Sequence, residues 1–338
     1  MKRRFFYQSL LIAIAIFGLL TFSGNLSAQG RSDEALERVK EVQEKHTARF
    51  MDIEGVEGTG IGSDQNGRLR VEVFVSRSDV ADLPKEVEGV PVQVVVTGKF
   101  FALGKPSAPL AVDPRSRFSR PVPIGVSTGH PDITAGTIGC RVTDGTNVYA
   151  LSNNHVYANV NEANIGDNVL QPGSYDGGIN PDDAIGTLRD FEEVRFDGTN
   201  NVIDAAIALS STDLLGKATP ASGYALPKSA TYPASIKLPV KKYGRTTGLT
   251  KGKVYAINAT VNVDYGASRI ARFVNQIVIT PGTFSAGGDS GSLIVVDNTR
   301  SSHDRKAIGL LFAGSSSYTI ANPINPVLTR FGVTIDGE

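Results

Sequence analysis

Cysteine is almost missing from this chain: among 338 residues only Cys140 carries a thiol, so no disulfide can form within it and the core must stand on packing. Cys140 sits in Ile-Gly-Cys-Arg-Val, which reads as a strand, and there a small buried hydrophobe is the expected role. An excess of either charge is also missing. Lys plus Arg and Asp plus Glu number 34 each, which leaves no global field to gather nucleic acid or an anionic membrane. No His, Cys and Asp cluster has ligand spacing, so neither a metal nor a cofactor is expected. No convincing internal repeat is visible, and the apolar run Leu10–Phe22 is short of the roughly 20 residues of a membrane span. That run follows Met-Lys-Arg-Arg and precedes Leu-Ser-Ala at 26–28, the layout of a secretory signal over residues 1–28. An exported protein (periplasmic or secreted) is expected, with an uncleaved anchor as the alternative.

What is abundant is turn-forming and β-forming. Thirty-six Gly, 17 Pro and many Val, Ile and Thr suggest a mainly β protein. Residues 30–101 begin with a helical pattern from Ser32 to about Phe50, with Leu36, Val39, Val42, His46 and Phe50 on one side. His46 is expected to pack there, half-buried. Alternating runs such as Leu69–Val75 and Val90–Val96 follow, so this part reads as a small α+β domain. Residues 102–123 hold five prolines and the arginines Arg115, Arg117 and Arg120. Such composition resists regular structure and marks a linker, or else an ordered arm across the next domain. From 124 to 338, short apolar runs alternate with Gly, Asn, Asp and Pro, the pattern of a barrel or sandwich.

The stretch Gly-Thr-Phe-Ser-Ala-Gly-Gly-Asp-Ser-Gly-Ser-Leu-Ile-Val at 282–295 organises the chemistry. A serine hydroxyl needs a base, something to orient the base, and donors for an oxyanion. Glycines around Ser290 allow a sharp turn, and the amides of Gly288 and Ser290 are the candidate donors. Of the histidines His130, His155 and His303, only His155 begins where an apolar strand, Val148–Leu151, has just ended. Asp204 alone among the aspartates lies inside an apolar run, Asn201–Leu209. A buried carboxylate there calls for a partner, and His155 is the candidate. Asp176, Asp182 and Asp183, by contrast, lie among turn residues. The order His155, Asp204, Ser290 excludes the α/β-hydrolase and subtilisin orders, and Ser292 breaks the Gly-x-Ser-x-Gly elbow.

Four motifs carry a family resemblance. Ser152-Asn-Asn-His-Val156 resembles the histidine loop of chymotrypsin-like serine proteases, Asp204-Ala-Ala-Ile-Ala the aspartate strand, and Gly288-Asp-Ser-Gly the serine loop. Gly244-Arg-Thr-Thr-Gly-Leu-Thr-Lys-Gly-Lys-Val254 resembles a hairpin of the secreted α-lytic and streptogrisin type. Gly-Asp-Ser-Gly-Ser is also similar to plant narrow-leaf trypsin-like proteins. The resemblance implies a double antiparallel β-barrel over 124–338, acting on polypeptide through His155, Asp204 and Ser290. It implies substrate contacts at Phe284, Phe312, Ala313 and Gly314, and Phe284 in place of an aspartate disfavours basic residues before the scissile bond. It further implies that Lys242 or Arg245 pairs with Asp289, and that residues 30–101 are a pro-region or a permanent recognition domain.

Overall fold

The computed structural model describes residues 32–80, 83–102 and 113–338. The expected signal segment, and residues 103–112 of the expected linker, lie outside them. Six antiparallel strands form the second of two sheet systems. Ile270–Thr280, Thr319–Pro323, Ala307–Gly314, Leu293–Val296, Pro239–Gly244 and Gly248–Asp264 pair in that order, and the last pairs back with the first. The sheet therefore closes on itself, while the far half of the long strand Gly248–Asp264 overhangs and stays open to a further partner. Val240, Val254, Ile279, Ile294 and Leu311 fill its interior.

The other system is a six-stranded antiparallel sheet in the order Asn168–Leu170, Ala184–Phe191, Ala206–Ser210, Val148–Ser152, Cys140–Thr143, Thr334–Ile335. Val142, Ala150, Leu151, Ala206 and Ala208 are among the residues it buries in one apolar cluster. Cys140 is buried in the same core, and burial pushes its thiol far up, consistent with a packing role. Together these two systems form the mainly β, chymotrypsin-like double-barrel architecture.

The N-terminal part begins with a helix over residues 32–51. Its apolar side, with Val39, Val42, Phe50 and Met51, packs on Ile61, Val71, Val73 and Val75 of the strands Val56–Ser63 and Leu69–Val75. His46 rests half-buried beside Phe50 and meets Glu88 at 2.9 Å. These strands do not form a separate sheet. Val56–Ser63 pairs antiparallel with Gly248–Asp264, Gly58 opposite Val261, so the N-terminal strands continue the second barrel's sheet. Gln43, Thr59 and Asn258 tie the junction with buried side-chain bonds.

Residues 113–123 are an ordered arm along the first barrel. Arg117 forks onto Asp183 at 2.6 and 2.7 Å, and Arg120 donates to the carbonyls of Asp182 and Ala184. Arg117 and Arg120 thus find acceptors more than sixty positions downstream, whereas Arg115 pairs with its neighbour Asp113 at 2.7 Å.

Candidate active site

His155 is the second residue of a one-turn helix, Asn154–Tyr157, that starts just after the strand Val148–Ser152. Val156 and Tyr157 are buried and anchor the turn. Asp204 has no exposed surface. Its Oδ2 accepts from His155 Nδ1 at 2.6 Å, and its Oδ1 accepts from the His155 amide at 3.3 Å. Further bonds fix the carboxylate's backbone: Asn153 donates to the Asp204 carbonyl at 2.8 Å, and the Asp204 amide donates to Asn322 at 3.1 Å. Asp204 as acceptor places the proton on Nδ1, which leaves a lone pair on Nε2. That Nε2 is buried and has no hydrogen-bond partner among the described residues.

Ser290 sits in the junction between barrels, where its carbonyl accepts from the Thr137 amide at 2.8 Å. Its hydroxyl donates to the Phe312 carbonyl at 3.3 Å rather than to His155. The orientation of the neighbouring amides follows from peptide planarity, which points each N–H opposite the preceding carbonyl. Thr246 Oγ1 holds the Gly287 carbonyl toward the hairpin at 2.6 Å, so the Gly288 N–H faces the other way. Ser292 Oγ holds the Asp289 carbonyl at 2.6 Å, which turns the Ser290 N–H outward likewise. Neither amide has an acceptor among the described residues. Gly288 adopts φ +92°, and a Cβ there would lie 2.6 Å from Thr246 Oγ1, so glycine is required.

Asp289 anchors this loop from beneath. It accepts from the Thr246 amide at 2.8 Å, Thr247 Oγ1 at 2.7 Å and the Ala286 amide at 3.0 Å, and Lys242 Nζ lies 3.3 Å away. Both members of the ion pair are fully buried. Burial pushes the Lys242 ammonium below its ordinary value, and Asp289 opposes that shift. Arg245, the other expected partner, goes elsewhere. It follows the strand's end, and its guanidinium donates to Asp176 at 2.6 Å instead. Asp176 lies in the short turn Ser174–Asp176, as expected, and its side chain, 6% exposed, faces Arg245.

The strand Ala307–Gly314, on which substrate contacts were expected, already has a strand partner at its end. Phe100–Ala102 pairs with it antiparallel, Ala102 opposite Ala313 and Phe101 opposite Gly314. The Phe312 ring turns away from the cleft into a cluster with Phe74, Phe100 and Phe273. Phe284 requires a correction. It has no exposed surface and packs among Val240, Val254 and Ile279 inside the second barrel, because the short turn Gly282–Phe284 drops the ring into that apolar interior. One residue at the site escaped sequence reasoning: Tyr265, whose hydroxyl donates to Asp204 Oδ2 at 2.7 Å. Nothing local to it gives a signal.

The model for the Nal1 C-terminal domain matches residues 228–321, which include Ser290 but neither His155 nor Asp204. No curated protein matches the chain. Among solved structures, a glutamic-acid-specific serine protease is similar at 24% identity and TM-score 0.45, over 63% of this chain and 100% of that one. Protease A of Thermobifida fusca is similar at 19% and TM-score 0.42, over 64% and 99%. A homolog of alpha-lytic protease, N4, is similar at 20% and TM-score 0.45, over 63% and 98%. The solved structures that the chain is similar to are bacterial chymotrypsin-like serine proteases.

Proposed function

We propose that the chain is an exported serine endopeptidase that hydrolyses polypeptide through an acyl-enzyme. The observation that carries this reading is the His155–Asp204 bond of 2.6 Å, which leaves Nε2 without a partner among the described residues; the two loops approach each other at Gly136, where a Cβ would meet both Val156 and the Ser290 carbonyl. Ser290 Oγ turns from the Phe312 carbonyl, gives its proton to His155 Nε2 and attacks the peptide carbonyl. His155 returns the proton to the leaving amine, and Asp204 orients the ring and stabilises the imidazolium. The Gly288 and Ser290 amides receive the oxyanion; loss of one such donor costs about 3–4 kcal/mol. Catalytic hydrogen bonds are often open before substrate arrives, so the resting Ser290 contact is compatible with this role.

Small or apolar residues remain the proposed preference before the scissile bond on the family resemblance alone, since Phe284 lies inside the second barrel and does not line the site. Residues 30–101 are proposed as a pro-region that blocks the cleft. Phe101 and Ala102 support this, because they occupy the wall to which a substrate strand would add. A permanent recognition domain is the second reading, favoured by the single cluster that Phe74 and Phe100 share with Phe273 and Phe312. The intact mass of the exported protein separates the two. A binding module without catalysis is the rival, favoured by the Ser290–Phe312 bond in place of Ser290–His155. Peptide-library hydrolysis decides between them: the proposed enzyme cleaves and its Ser290→Ala variant does not, whereas an unaffected variant removes Ser290 as nucleophile.

A further inference from the structure

Asp204 Oδ2 carries two donors, His155 Nδ1 at 2.6 Å and the Tyr265 hydroxyl at 2.7 Å. Tyr265 comes from the turn joining the long strands Gly248–Asp264 and Ile270–Thr280, and its amide donates to the Arg269 carbonyl at 2.9 Å. Three aromatic rings hold its side chain. The Tyr265 ring stands edge-on to His155 at 6.0 Å and to Phe196 at 5.5 Å, and it stacks on Phe273 at 6.3 Å. The residues just before it are held as well, since Val263 and Asp264 pair with Phe100 and Phe101 of the N-terminal part. A hydroxyl this constrained has one direction in which to donate. Burial and the adjacent Asp204 carboxylate hold the phenol well above its usual value, so it remains a neutral donor.

We infer that Tyr265 is a positioning residue for the His155–Asp204 pair, and that its hydrogen bond sets how strongly Asp204 holds the imidazolium. The inference rests on the reading of His155 as base and Asp204 as its orienter. Two donors on one carboxylate oxygen share the same charge, so removal of one makes that oxygen a stronger partner for the other. Without the phenol, His155 is therefore expected to hold its proton more tightly. Charged groups on the elements packed around the pair include Asp264 and Arg269 of the hairpin turn, Glu162 facing Arg269, Lys99 just before Phe100–Ala102, and Glu192, whose amide donates to the Ala205 carbonyl and whose carbonyl accepts from Asn154. Arg269 is paired with Glu162 at 3.3 Å, and Asp264 accepts from the Gly266 amide at 2.7 Å.

The test follows the His155 titration by NMR in the full chain carrying Ser290→Ala, which needs no turnover and so stands apart from the proposed activity. Adding Tyr265→Phe is expected to raise the titration midpoint by about one unit, a tenfold change in proton affinity. Incorporating 3-fluorotyrosine at position 265, a stronger donor of nearly the same shape, is expected to lower it. That second arm keeps the test decisive if the phenylalanine variant fails to fold. A midpoint unmoved by either change, or moved the same way by both, overturns the inference. In the protein with Ser290 intact, Tyr265→Phe should lower kcat/KM about tenfold on the acid limb with KM unchanged, and rejoin the parent at alkaline pH.

Discussion

Lys242→Met tests whether the buried ion pair under the serine loop is a structural keystone. Methionine approximates the apolar stem of lysine and removes the ammonium together with its bonds to the Gly248 carbonyl and Thr247, leaving Asp289 without its cation in a site with no exposed surface. Breaking a buried pair from one side costs about 3–5 kcal/mol. Asp289 keeps the Thr246 and Ala286 amides and the Thr247 hydroxyl as donors, which places the loss near the low end, about 3 kcal/mol. For a chain of this size, with about 2.1 cal/mol/K of unfolding entropy per residue, that corresponds to a fall in Tm of about 4–5 °C. Differential scanning calorimetry at neutral pH measures it. The double variant Lys242→Met/Asp289→Asn removes the stranded charge but keeps an acceptor for the loop amides, so it should melt above the single variant. A single variant that melts within about 2 °C of the parent, or a double variant that melts lower still, refutes the reasoning.

Two further outcomes follow from the packing. Phe100 has almost no exposure and meets Phe74 edge-on at 6.1 Å, so Phe100→Ala should loosen the strand that fills the cleft. Hydrolysis of a short chromogenic peptide by the full-length protein should then rise several-fold, and an unchanged rate removes the blocking role of Phe100–Ala102. Tyr157 is fully buried, and that burial raises its phenol far above the ordinary tyrosine value. The folded form therefore holds a proton that the unfolded chain releases from about pH 10 upward, and stability should fall with rising pH there. Tyr157→Phe loses only a long 3.5 Å bond from Thr128 and should flatten that alkaline decline, as chemical denaturation at pH 9 and 11 would show. An equally steep decline in the variant contradicts the assignment.

Much of the site could be read from the chain because its parts are local. Ser152-Asn-Asn-His and Gly-Asp-Ser-Gly each carry a turn and a reactive side chain within a few residues, and an aspartate in an apolar run announces a buried partner. Contacts between distant segments gave no such signal. Lys242 and Arg245 are three positions apart, and only the pleat of Pro239–Gly244 decides that the lysine faces Asp289 while the arginine reaches Asp176. Asp176 sits in a glycine-rich turn whose partner lies 69 positions later. Tyr265 reaches Asp204 because a 17-residue strand, of which only the beginning up to Val254 was legible in sequence, ends in the hairpin turn that carries it. The strands of residues 56–96 were legible as strands. Which edge they join was not, since edge pairing depends on backbone groups that every strand exposes.

Mass spectrometry of the protein treated with a small fluorophosphonate tests the central claim most directly. The account predicts a single adduct on Ser290 that disappears in the His155→Ala variant. A protein that stays unmodified, or carries its adduct on another residue, contradicts it.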